Sequence, residues 1–107
     1  MNREDEVQLR LGLQRALLTH VTSELRSVSA DLDAELRSVR LRFVFARQPS
    51  DAERDAASTT ATEVIADYPE GWTVDEEYLV IPPGEPMTHL RLVAYHRCED
   101  AWVSPDA

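Results

Sequence analysis

Asp75, Glu76 and Glu77 follow one another directly, and Glu63 stands four residues before Asp67. Folding alone demands neither arrangement. Three consecutive acids repel, and on an extended chain, where side chains alternate, they occupy both faces of a segment bounded by Val74 and by Tyr78, Leu79, Val80 and Ile81. On a helix, like charges four residues apart cost roughly 0.2–0.5 kcal/mol. Carboxylates so grouped could act as acid and base, hold a hard cation, or meet a basic partner. Catalysis and metal binding are poorly supported: there is no Gly-rich phosphate loop, nucleophile elbow or triad-like set, and the 75–77 run lacks the spaced ligands and turn glycine of a calcium loop. No catalytic residue, metal ligand or cofactor is therefore assigned, and no enzyme is expected. The alternative to a binding role is a solvated acidic face that serves solubility.

A second group with potential chemistry is His89, His96 and Cys98, because imidazole and thiolate are zinc's preferred ligands. On a strand His96 and Cys98 share a face, His89 falls on the other, and a fourth ligand is missing. The ordinary reading is polar residues at a sheet edge. Cys98 is the sole cysteine, so no internal disulfide can form. His20 reads as a helix-end residue.

The acids are concentrated. Of the net charge of −9, the window 50–85 carries all of it, with ten acids against Arg54, while the flanking segments nearly cancel. An acidic excess excludes a nucleic-acid binder, which needs a basic face for phosphates, and fits a cationic partner. Tyr68, Glu70, Trp72 and Tyr78 surround the carboxylates; Trp and Tyr are enriched among interface anchors. The candidate partner-binding set is Glu63, Asp67, Tyr68, Glu70, Trp72, Asp75, Glu76 and Glu77.

The elements that must position this set follow from periodicity. Residues 6–21 predict a helix whose broad apolar face holds Val7, Leu11, Leu13, Leu17, Leu18 and Val21. Residues 22–47 predict a hairpin, since Val39, Leu41, Phe43 and Phe45 alternate strictly with polar positions. Pairing Val28 with Phe45, Ala30 with Phe43 and Leu32 with Leu41 also sets Asp31 against Arg42 and Asp33 against Arg40. Ser50 with Glu53 forms a capping box for a helix from Asp51 to about Asp67, ended by Pro69 and Gly71. Strands at 72–81 and 89–97 flank the loop Pro82–Pro86, and a tail from about 99, containing Trp102, is expected to fray. The expectation is a single α+β domain over residues 1–107 in the order α-β-β-α-β-β, with a four-stranded, mainly antiparallel sheet and both helices on one face. No apolar run spans a membrane and the N-terminus is not a signal peptide, so a cytoplasmic location without membrane contact is expected.

The run Ala16–Val28, the alternating strand to Phe45, and Thr62-Glu63-Val64-Ile65-Ala66-Asp67-Tyr68-Pro69 with Val74-Asp75-Glu76-Glu77 resemble a family of small bacterial immunity proteins. These are encoded beside polymorphic or contact-dependent growth-inhibition toxins. The sequence departs from the pattern at Thr19-His20, where Gly-Glu is usual, and at Ser23, where proline is usual. The resemblance implies a protein that blocks a cognate toxin domain, commonly a nuclease, and the acidic set would meet the toxin's basic surface. The competing expectation is a stand-alone interaction protein that homodimerises through a sheet edge; monomer and homodimer both remain open.

Overall fold

A computed structural model describes residues 2–99 of the chain. The elements are α1 (Arg3–Leu17), β1 (Leu25–Asp33), β2 (Ser38–Phe45), α2 (Asp51–Ile65), β3 (Thr73–Val80) and β4 (Leu92–His96), in the expected α-β-β-α-β-β order. The four strands form one sheet in the order β3-β2-β1-β4. Both pairings of β1 are antiparallel, and β2 pairs with β3 in parallel. The parallel pairing arises because α2 carries the chain back to the end of the sheet where β2 began, as a βαβ crossover does. β3 and β4 therefore occupy opposite edges, and residues 81–91 cross the whole sheet between them.

The β1–β2 hairpin forms, in a register two residues from the expected one. Val28 lies opposite Phe43, Ala30 opposite Leu41 and Leu32 opposite Val39; Asp31 meets Arg40, while Asp33 meets Ser38 and Arg42 meets Ser29. A two-residue slip keeps every side chain on its face, so the apolar alternation is equally satisfied by both registers. A turn through Arg37, with φ of +51°, and an irregularity between Leu25 and Ser27 make the choice.

One face of the sheet is Val28, Ala30, Leu32, Val39, Leu41, Phe43 and Phe45, and both helices cover it with Leu9, Leu13, Ala16, Leu17, Ala57, Ala61 and Val64. Ser50 and Glu53 make the reciprocal capping box at the start of α2. α1 starts three residues and ends four residues earlier than expected, and it is turned differently. Leu13 and Leu17 are buried, but Val7, Leu11 and Leu18 are 48%, 58% and 81% exposed and Val21 is exposed too. Leu18 and Val21 lie beyond the end of α1, and on the helix itself Leu9, Gly12 and Ala16 take the contact in place of Val7 and Leu11.

The opposite face is covered by the 81–91 crossover. Ser27 and Ser29 are fully buried beneath it. The Leu90 amide donates to Ser29 Oγ (2.9 Å) and Ser27 Oγ donates to Met87 Sδ (3.5 Å). Buried Arg26 ties the segment down through the carbonyls of Ile81 (2.7 Å), Pro82 (3.1 Å) and Glu85 (3.3 Å), and its Nε and Nη2 donate to both oxygens of Glu99 (2.7 and 2.8 Å). Arg97 also binds Glu99 and donates to the Ser23 carbonyl. Glu99, placed in the expected frayed tail, is thus fixed; Trp102 and the rest of that tail lie outside the described residues.

Candidate partner-binding surface

The eight candidate residues face three ways. Glu63, in the last turn of α2, and Asp67, two residues beyond its end, lie in the groove between the two helices. Asp67 meets Arg15 of α1 at 3.5 Å, and Glu63 approaches His20 at 3.9 Å. Gly12 leaves room for that carboxylate: a Cβ at that position would stand 3.2 Å from Asp67 Oδ2. The groove is lined by Gly12, Arg15, Ala16, Glu63 and Asp67.

The turn that follows holds Tyr68, Glu70 and Trp72. The Trp72 amide donates to the Pro69 carbonyl, and Gly71 takes φ of +96°, which a residue with a Cβ adopts only with strain. The rings of Tyr68 and Trp72 lie 5.0 Å apart and both pack on the core, so part of each aromatic surface is already covered. Burial, and then the charges of Asp5 and Asp67, push the Tyr68 hydroxyl above its usual pKa. Glu70 is exposed.

β3 is an edge strand, and its acids alternate across it. Asp75 and Glu77 lie in register with Arg40 and Arg42, on the face away from the helices. Arg42 pairs with Glu77 and also donates to the Thr88 carbonyl at 2.9 Å. Glu76 lies in register with Leu41, on the helix side, where it accepts from the Tyr78 hydroxyl. The Tyr78 ring stacks near Phe43 and carries the Arg54 guanidinium 5.2 Å from its centre. Burial, and then the bond to Glu76, raise the Tyr78 pKa. Asp75 and Glu76 are exposed, and Glu77 is partly covered by its arginine.

The strand thus unites Asp75, Glu76 and Glu77 at one open edge, whereas Glu63 and Asp67 are turned toward α1. Arg40 and Arg42 belong to this surface although the sequence placed them against β1. Their alternation with the apolar core residues was the available signal; it identifies a polar face but not which neighbouring strand supplies the countercharge.

His89 and His96 are brought together, with ring centres 5.6 Å apart. The opposite-face expectation assumed a strand from 89; His89 instead lies in the crossover, where alternation does not apply. Burial, and then the charges of His96 and Arg42, lower the His89 pKa. The pair lines a groove of about 620 Å³ with Arg26, Arg97, Cys98 and Glu99. Among the described residues no group of three or more His, Cys, Asp and Glu side chains is arranged to hold a metal ion.

A protein-family model described as MafI2 immunity protein matches residues 6–99. The chain belongs to the MafI2 immunity protein family. No curated protein matches it. Membership of the MafI2 immunity protein family implies a role in toxin immunity, with a cognate toxin as the partner, in agreement with the resemblance carried by the 62–69 and 74–77 segments. No helix among the described residues is long and apolar enough to cross a membrane.

Proposed function

We propose that this chain is a non-enzymatic, cytoplasmic inhibitor that binds a cognate toxin domain stoichiometrically, with the carboxylates of β3 at the centre of the contact. The observation that carries the reading is the exposure of Asp75 and Glu76 on opposite sides of one edge strand, in a member of an immunity family. Glu70 and the exposed parts of Tyr68 and Trp72 adjoin the start of that strand, whereas Glu63 and Asp67, turned toward His20 and Arg15, would join the contact only from the helix groove. A basic toxin surface would be drawn to this field from a distance, which speeds association more than it deepens affinity. Where the toxin is a nuclease, its substrate cleft is cationic, and the carboxylates would stand in for phosphates.

Binding to the toxin domain encoded by the neighbouring gene, followed as salt is raised, tests the proposal. Affinity should fall with salt and fall further on Asp75/Glu76/Glu77→Ala. An affinity indifferent to both changes would sink the charge-led reading.

A further inference from the structure

The two edges of the sheet are finished differently. At β4, α1 packs alongside, and Arg10 Nη1 donates to the Val93 carbonyl at 3.2 Å. α2 packs against β3 to a similar extent, but among the described residues no side chain bonds the main chain along that edge. The Thr73 amide donates to the Arg37 carbonyl and the Ile81 amide to the Phe45 carbonyl, both at 3.0 Å, which fixes the odd-numbered residues as those bonded to β2. The N–H and C=O of one strand residue point the same way, so those of Val74, Glu76, Tyr78 and Val80 point outward. Among the described residues no hydrogen bond reaches them. Val80 at the end of the strand is exposed as well.

We infer that this edge receives a strand of the toxin, pairing with the outward main-chain groups of Val74, Glu76, Tyr78 and Val80, and that the strand carries basic side chains opposite Asp75 and Glu76. The inference rests on the toxin-binding reading and specifies how that binding is made. Charge selects the occupant. An open edge ordinarily invites a second copy of the same chain. Here a register that pairs the strand centres sets Asp75, Glu76 and Glu77 against the same three acids, and like charges directly across a ladder are destabilising. A basic strand meets the opposite situation: one cation beside Glu76 on the helix side, and one beside Asp75 on the other face. Main-chain bonds then supply adhesion and the alternating carboxylates supply selectivity, as in other strand additions.

Residue-resolved amide hydrogen exchange of the full chain, alone and with the toxin domain encoded by the neighbouring gene, tests this. In the free protein the amides of Asp75, Glu77 and Leu79 should be protected by β2, while those of Val74, Glu76, Tyr78 and Val80 exchange fast. In the complex the second set should slow by about tenfold or more. A proline at position 76 removes an N–H that faces solvent, a change edge strands tolerate; Glu76→Pro should therefore fold, and bind about three- to tenfold more weakly than Glu76→Ala. A tight complex in which the even-numbered amides still exchange fast overturns strand addition and leaves the immunity reading standing. Absence of any complex overturns both.

Discussion

Two groups of carboxylates in this molecule do opposite work. Glu99 lies between Arg26 and Arg97 with its side chain 16% exposed and that of Arg26 4% exposed, and it helps pin the crossover to the sheet. On β3, Glu77 has one arginine and is 41% exposed, Glu76 has only a tyrosine hydroxyl, and Asp75 makes no ion pair among the described residues. Burial explains the difference. A buried charge must be paired or the fold fails, whereas an exposed acid contributes little to stability and remains available to a partner. Glu99 is structural because it is enclosed; Asp75 and Glu76 are candidates for recognition because they are not.

The sharpest way to break this comparison is to remove Arg26. Arg26→Ala leaves the Glu99 carboxylate short of its main partner and strands the carbonyls of Ile81, Pro82 and Glu85, so urea unfolding should show a loss of about 3–5 kcal/mol. A loss under about 1 kcal/mol would mean that the cluster is not a clasp. On β3 the expected outcome is reversed. Asp75→Lys with Glu76→Lys should change stability by no more than about 0.5 kcal/mol, while the affinity for the toxin domain falls at least about tenfold, or ~1.4 kcal/mol. Equal losses of stability and binding would erase the distinction between the two groups.

Acid sharpens it further. The hydrogen bonds from Arg26, helped by Arg97 and opposed by burial, hold the folded Glu99 carboxyl at about 2, against a reference of 4.5. Between those values the unfolded chain takes up a proton that the folded chain refuses, so stability present above pH 4.5 is lost as pH falls toward 2. Glu99→Gln should flatten this part of the stability profile, as followed by thermal unfolding at a series of pH values. A profile unchanged by the substitution would show that Glu99 contributes nothing to the acid response.

How much of this was legible beforehand depended on the range of the interaction. Local signals were sufficient: the Ser50–Glu53 capping box, the breaks at Pro69 and Gly71, and the alternation from Val39 to Phe45 place their elements as found. Interactions between distant segments were not. Val28 fits opposite Phe43 as well as opposite Phe45, because both registers bury the same faces. Ser27 and Ser29 lie on the face turned away from the helices, and the crossover returns from far along the chain to bury them. The carbonyls of Ile81, Pro82 and Glu85 and the carboxylate of Glu99 that hold the Arg26 side chain stand 55 or more residues away, beyond the reach of any local signal. The acidic strand was visible at once, yet its place at an edge, parallel to β2 and beside Arg40 and Arg42, depends on α2 acting as a crossover, which composition does not reveal.

The smallest expected effect concerns the groove that turns Glu63 and Asp67 toward α1. Gly12 is buried inside a helix, where replacing glycine by alanine recovers roughly 0.5–1 kcal/mol of backbone entropy. The new Cβ would meet only Asp67 Oδ2, at 3.2 Å. That oxygen is the end of a flexible side chain that is 44% exposed, and its pairing with Arg15, itself 70% exposed, is worth little. The carboxylate can therefore swing aside, and Gly12→Ala should stabilise the protein by up to about 0.5 kcal/mol, read as a shift in urea midpoint with unchanged slope. Toxin affinity decides what the groove is for. If Asp67 only ties its turn to α1, displacing it leaves affinity unchanged and confines recognition to the β3 side; if affinity drops while stability rises, the groove belongs to the contact and Glu63 and Asp67 act together with the acids of the edge strand.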